Sequence, residues 1–339
     1  MNTTGTVSPE VQEHPEAIPA AKRAYSLSLL NLILYALIGQ IIVFAVASIY
    51  RRITKSDPMG SAYYLIQFIP MYLIAFPLYL LLSRPLKTSP PEKHKLTVGQ
   101  FLCGYLISVG LGVVGAFIGV FITLLISWLT GYDYGSHFLE DGLSGDGAFV
   151  LTIIAAFGAP IVEEMLFRKI LIDRIRKYGN GTAILLSGLL FGLFHGNFTQ
   201  FFFAAMLGMF FAFIYIRTGK IHYTILLHCM INSLSTIVFA PLLNKVELDP
   251  EKIVNAIRSM DIQFLRQYLT LAIYMLCYYG AALAGIILFI VFRKQLRVAP
   301  PETRLPKGKQ FSTACCNLGF LLFILFCITL FIITAIRNG

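Results

Sequence analysis

The stretch GAPIVEEMLFRKIL, residues 158–171, is apolar except for Glu163, Glu164 and a short basic end that begins at Arg168. It belongs to one of many apolar runs along the chain that approach about 20 residues, the length that crosses a bilayer. In lipid only helices and closed barrels satisfy all their backbone polar groups. We therefore predict an all-α fold, a multi-pass transmembrane helical bundle with about seven to nine membrane helices.

The composition supports this fold class. Of 339 residues, 57% are hydrophobic and 13% are charged, whereas soluble domains carry about 25% charged residues. The formal net charge of +10 comes from short basic clusters beside apolar runs, which suits anionic lipid head groups. We predict the lipid bilayer as a partner and no nucleic acid. The six cysteines lie in apolar runs and are predicted to be free thiols.

The hydrophobic pattern divides the chain into nine candidate spans, of which the fifth is short. They lie near residues 28–49, 62–83, 100–129, 147–167, 182–197, 199–217, 222–241, 268–292 and 314–336. The predicted organisation is a polar cytoplasmic tail (1–25), N-terminal transmembrane helices (26–130), a candidate catalytic core (147–241), an amphipathic interfacial helix (249–267) and C-terminal transmembrane helices (268–339).

Two features of the connecting segments predict their placement. The acidic loop 131–146 has no Lys or Arg and is placed outside, whereas the basic segments 168–181 and 293–309 are placed inside; the basic loop 51–61 does not fit this orientation. Asp249 followed by Pro250 starts a helix. Its apolar face, typical of a helix on the membrane surface, carries Ile253, Ile257, Met260 and Phe264.

Charged side chains inside a membrane helix cost about 2.5–3.5 kcal/mol at its centre and by default indicate function. Glu164 and Arg168 are four residues apart, so they share a helical face and can neutralise each other. Glu163 points about 100° away on the same turn and is left without that partner. The sequence thus predicts a structural ion pair beside an available carboxylate.

Two further apolar segments carry polar residues. In LLFGLFHGNF, residues 189–198, Phe191 precedes His195 by four positions and can fix its ring, and the glycines at 188, 192 and 196 let a neighbouring helix approach closely. In HCMIN, residues 228–232, His228 and Asn232 share a face. We expect Glu163, His195, His228 and Asn232 to meet in the inner half of the membrane.

This set of side chains supports hydrolysis by two routes. Glu163, His195 and His228 match the His₂Glu ligands of catalytic zinc sites, so zinc is one predicted cofactor. Without a metal, a buried glutamate can deprotonate water with histidine support, while a histidine and an amide stabilise the oxyanion on a peptide carbonyl. Both routes lead to cleavage of a peptide or protein substrate.

The three motifs resemble those of a known family. EEMLFR, FGLFH and HCMIN fit EExxxR, FxxxH and HxxxN, in the order and apolar setting of the CPBP family of intramembrane proteases, which includes CAAX prenyl endopeptidases and bacterial proteins linked to bacteriocin processing and self-immunity. The resemblance implies an intramembrane endopeptidase or metalloendopeptidase of the bacterial cell membrane, with its site on the cytoplasmic half. It implies that Glu163 activates water or binds metal, that His195, His228 and Asn232 complete the site, and that Glu164, Arg168 and Phe191 support it.

Other functions fit parts of the pattern. A narrower version of the hypothesis limits the substrate to lipidated C-terminal peptides, although nothing in the chain reads a prenyl group. An inactive scaffold or bacteriocin self-immunity protein would bind a peptide in the same cavity. A transporter is disfavoured because the polar residues cluster on one side and no inverted repeat is visible.

Overall fold

The computed structural model describes residues 13–131, 146–246 and 249–338, which form eleven helices and no strand. The helices are α1 (Pro15–Thr54), α2 (Gly60–Ser83), α3 (Val98–Thr130), α4 (Ala148–Tyr178), α5 (Asn180–Leu193), α6 (Phe198–Thr218), α7 (Ile221–Leu243), α8 (Pro250–Arg258), α9 (Ile262–Phe292), α10 (Lys309–Cys315) and α11 (Leu318–Asn338). Eight of these are long and apolar enough to cross a membrane. The predicted all-α membrane bundle is confirmed, and all six cysteines are free.

Helix α5 is too short to cross a bilayer. Its 14 residues rise about 21 Å at 1.5 Å each, against a hydrocarbon core of about 30 Å. The candidate span 182–197 is therefore wrong at its far end. The helix ends at Leu193 because Gly196 turns the chain with a φ of 68°, and Asn197 caps α6 by accepting a hydrogen bond from the Gln200 amide at 2.8 Å.

The first and last spans pack against each other. Helix α1 begins at Pro15, and Ala21 and Tyr25 are buried, so the polar tail is shorter than the predicted 1–25. The reason is tertiary packing, since α11 lies along α1 and the Gly319 amide donates to Ser26 Oγ at 2.9 Å. Polar composition alone did not show this contact.

The predicted amphipathic helix at 249–267 consists of two pieces. Asp249 caps α8 as predicted, accepting from the Glu251 amide at 2.9 Å. However, α8 ends at Arg258, and Met260 has a φ of 51°. Asp261 then caps α9 by accepting from the Phe264 amide at 3.0 Å. Phe264 therefore belongs to a membrane span, and the surface helix is shorter than predicted.

Glycines bring α5 and α6 into close contact. A Cβ on Gly188 would lie 2.6 Å from the Met209 amide nitrogen, and one on Gly208 would lie 2.9 Å from Gly188 Cα. These distances are too short for any side chain, so the predicted close approach of the two helices is confirmed. Gly196 differs, because it faces Leu330 of α11.

We expect Gly192→Ala to destabilise the protein and Gly181→Ala, on the same helix, to leave it as stable or slightly more stable. A Cβ at Gly192 would meet the Phe201 carbonyl oxygen at 2.6 Å, whereas none lies within 4 Å at Gly181. Overpacking typically costs about 1–3 kcal/mol, while a helical Gly→Ala change without a clash gains up to about 1 kcal/mol. Thermal unfolding of both variants in detergent tests this, and equal melting temperatures would contradict it.

Helix α4 contains two wide π-helical turns, Ile154–Gly158 and Met165–Ile170, and the acidic pair lies between them. In the first turn the Ala159 amide donates to the Ile154 carbonyl, five residues back. By the same five-residue spacing, the Ala155 carbonyl would accept a hydrogen bond from residue 160. That residue is Pro160, which has no N–H to donate. The wide turn therefore leaves one carbonyl available to another helix.

The linkers before α3 and after α9 bind the corner between α4 and α5. The Ser89 amide donates to the Asp173 carbonyl at 2.6 Å. Arg176 forms an ion pair with Glu302 at 2.7 Å, and Asn180 Nδ2 donates to the Ala299 carbonyl at 2.8 Å. Two segments that are distant in sequence thus hold one end of the core.

Candidate active site

Glu164 and Arg168 form a buried ion pair on α4. Arg168 Nε lies 3.2 Å from Glu164 Oε2, and both side chains are 0% exposed. The contact is an ion pair without hydrogen-bond geometry. Within the described ranges, Glu164 Oε2 and all three guanidinium nitrogens of Arg168 have no hydrogen-bond partner. The predicted pair is present, and its burial makes each charge depend on the other.

His228 of α7 lies between the two carboxylates. Its Nδ1 is 3.0 Å from Glu164 Oε1, and its Nε2 is 3.7 Å from Glu163 Oε2. Because a carboxylate only accepts, Nδ1 carries a proton and donates to Glu164, and the other ring nitrogen, Nε2, faces Glu163. Glu163 is 28% exposed. The separation of Nε2 and Oε2 lets both bind one water molecule.

The sequence predicted His195 within a helix, but it lies in the turn after α5. Its Nδ1 is 2.8 Å from the Phe191 carbonyl oxygen. A carbonyl is only an acceptor, so Nδ1 donates and Nε2 is the free nitrogen. The turn that ends α5 at Gly196 thus also fixes the tautomer of a half-buried imidazole.

Phe191 connects the two histidines. Its ring centroid lies 5.0 Å from that of His195 and 5.7 Å from that of His228, at interplanar angles of 89° and 85°. Edge-to-face packing of this kind fixes ring orientation. The structure therefore brings His195, His228 and the Glu164–Arg168 pair into one cluster around Phe191.

Asn232 binds the carbonyl that the first wide turn of α4 leaves available. Its Nδ2 donates to the Ala155 carbonyl at 2.9 Å, which uses one of its two amide protons. This contact joins α7 to α4 one turn below His228. It gives Asn232 a structural partner that the sequence did not indicate, and its predicted role in the reaction stays a prediction.

Phe211 of α6 is a site neighbour that no motif indicated. Its ring centroid lies 5.6 Å from that of His228 and 5.8 Å from the guanidinium carbon of Arg168. It belongs to a phenylalanine-rich segment, FTQFFFAAMLGMFFAF, in which no spacing distinguishes one ring from another. Only the packing of α6 on α4 and α7 shows its position.

The residues do not fit a three-ligand metal centre as they are placed. In the three described ranges, no group of three or more His, Cys, Asp and Glu side chains is arranged to hold a metal ion. His228 Nδ1 is already committed to Glu164, and its Nε2 is 3.7 Å from Glu163. Zinc therefore stays a prediction.

Comparison with known proteins agrees with these motifs. Residues 145–234 match the family model described as type II CAAX prenyl endopeptidase Rce1-like. The predicted resemblance is confirmed. The matched segment runs from the start of α4 into α7 and includes every candidate site residue, which is consistent with the CPBP family. It covers under a third of the chain, and α1–α3 and α8–α11 lie outside it.

One curated relative is similar over a longer stretch. YdiL of Bacillus subtilis (strain 168), named as a candidate membrane peptidase, is 28% identical over 151 residues, which are 41% of this chain and 62% of YdiL. The alignment thus spans less than two thirds of that relative. No solved structure matches the chain significantly. The eight apolar helices and the family match make the chain an integral membrane protein.

Proposed function

We propose that this protein is an intramembrane endopeptidase in which Glu163, His228 and His195 act on a peptide bond. The observation that carries the proposal is the orientation of His228: Glu164 holds its Nδ1, so its Nε2 faces the accessible carboxylate of Glu163. A base oriented by a buried carboxylate is a recurrent device of hydrolytic sites. The Rce1-like match over this same segment supports the assignment.

The geometry supports a separate role in hydrolysis for each residue. A water between Glu163 and His228 Nε2 gives a proton to the carboxylate as its oxygen attacks the peptide carbonyl carbon. The tetrahedral oxyanion is then stabilised by a hydrogen-bond donor, a role that His195 Nε2 fills when both ring nitrogens carry a proton. The proton held by Glu163 passes to the leaving amine nitrogen as the C–N bond breaks. Each step uses only groups in the cluster and the water.

The proposal extends to the class of substrate and to the side of the membrane on which the site lies. A peptide or protein that reaches the membrane fits a site formed by helices α4–α7, and the family match suggests lipidated C-terminal peptides as the first to test. Placement of the site in the cytoplasmic half of the membrane is supported by the basic linkers, which meet at the α4–α5 corner. These linkers are placed on the cytoplasmic side because of their positive charge.

We expect His195→Ala to lower the cleavage rate by about 10²–10³-fold, as typical for loss of an oxyanion donor, and His222→Ala to leave it unchanged. His222 is exposed, and its ring packs on Tyr223. The assay uses purified protein in detergent with prenylated and unprenylated forms of one C-terminal peptide, with and without chelator. Equal rates for both variants would contradict a role of His195. Binding of peptide without any cleavage by the wild type would favour the scaffold function.

A further inference from the structure

Arg168 has two aromatic neighbours in addition to its carboxylate partner. Its guanidinium carbon lies 4.5 Å from the ring centroid of Phe191 and 5.8 Å from that of Phe211. A Cβ on Gly208 would lie 3.3 Å from Arg168 Nη2, so a glycine of α6 makes room for the side chain. The cation is thus enclosed by two rings and a glycine, which compensates in part for its missing hydrogen bonds.

Phe211 contacts Arg168 and His228 at the same time. Its ring is 0% exposed, and its centroid lies 5.6 Å from that of His228 with the planes tilted by 42°. Phe191 lies against the same imidazole at 5.7 Å. Two phenyl rings from different helices therefore contact the ring whose Nδ1 is bound to Glu164. The imidazole is held by its hydrogen bond and by aromatic contacts from α5 and α6.

The helix that carries Phe211 is well suited to hold a ring in place. Helix α6 packs on α5 and α3 through glycines, and a Cβ on Gly115 of α3 would lie 2.7 Å from Phe203 Cα. Such backbone-to-backbone contact leaves little freedom to shift. The Phe211 ring is consequently held in place against His228.

We infer that Phe211 is a positioning residue of the candidate active site, which keeps His228 oriented with Nδ1 on Glu164 and Nε2 towards Glu163. Its buried ring contacts His228 and Arg168, so it acts on the reaction only through them. Its effect on the reaction rate rests on the proposed function. Its effect on the imidazole does not, so the two can be tested separately.

The matched variants are Phe211→Leu and Phe210→Leu, neighbours on α6 that are 0% and 7% exposed. The Phe210 ring stacks on Phe213 at 6.3 Å and shares a buried cluster with Phe211, whereas the Phe211 ring contacts His228 and Arg168. Both substitutions remove a buried ring and should lower the melting temperature by similar amounts. Only Phe211→Leu should lower kcat, by about 10–100-fold with little change in KM, because small displacements of reacting groups have effects of this size.

A readout independent of catalysis is the imidazole N–H signal of His228 in ¹⁵N-histidine NMR, identified by its loss in His228→Gln. We expect this signal in the wild type and in Phe210→Leu, and its loss or displacement in Phe211→Leu. If Phe211→Leu fails to fold, Phe211→Met fills more of the space without an aromatic face and takes its place. An unchanged His228 signal in the folded variant overturns the inference. A displaced signal in Phe211→Leu, together with a wild-type protein that cleaves no peptide, supports the inference and contradicts the proposed function.

Discussion

Replacing Glu163 by glutamine is expected to lower peptide cleavage by about 10²–10⁴-fold, the usual contribution of a general base, while the protein stays folded. Glutamine keeps the shape of the side chain but cannot accept a proton from water. Glu163 is 28% exposed, and within the described part of the chain its one ion-pair contact is the long one to His228 at 3.7 Å. Little stability therefore depends on its charge.

Cleavage rate and thermal unfolding measured on the same preparation test this prediction. Glu302→Gln is the matched control, because it removes the carboxylate of a partly exposed ion pair with Arg176 at the α4–α5 corner, and such pairs contribute about 0–1 kcal/mol. Its cleavage rate should equal that of the wild type. If Glu163→Gln cleaves at the wild-type rate, Glu163 is not the base.

Arg168→Ala is expected to act mainly on stability. The substitution leaves Glu164 buried and unpaired, and removing one partner of a buried ion pair costs about 3–5 kcal/mol. It also removes the cation that packs on Phe191 at 4.5 Å. We expect low abundance and a much lower melting temperature, with cleavage lost secondarily because less of the protein is folded.

The double variant Glu164→Gln/Arg168→Met separates charge from packing. It replaces both charged groups by uncharged side chains of similar volume, a change that is often neutral for a buried pair. We expect its melting temperature to exceed that of Arg168→Ala in the same detergent. A stable but inactive Arg168→Ala protein, together with a Glu163→Gln protein that unfolds, would show instead that the roles of Glu163 and Arg168 are reversed.

Helical spacing predicted much of this site, because its main contacts lie within single helices. The Glu164–Arg168 pair is an i, i+4 contact and is observed at 3.2 Å. Phe191 and His195 also lie four apart, and their rings meet although the helix ends before His195. The cost of burying polar groups in lipid placed all three motifs towards the bundle interior.

The contacts between helices could not be predicted in this way. The bond between Glu164 and His228 joins residues 64 positions apart, and the motifs indicated Glu163 as the partner of the histidines instead. Phe211 and the Ala155 carbonyl became site neighbours only through packing. The ends of α1, α5 and α8 were misplaced for a related reason, since buried contacts and single left-handed residues decided them, not hydrophobic pattern.

Because α4 contains two wide turns, the number of residues in it, and not only their identity, decides where Glu163 and Glu164 point. Each wide turn accommodates one residue more than a regular helix does, and Glu163 and Glu164 lie in the short regular piece between them. Removing one residue from Ile154–Gly158 would restore the regular pitch there and rotate the preceding part of α4 by about 100° relative to the acidic pair. Helix α2, which packs against that part, would then face a different side of α4. An insertion or deletion at this point would therefore redirect two carboxylates without changing either of them.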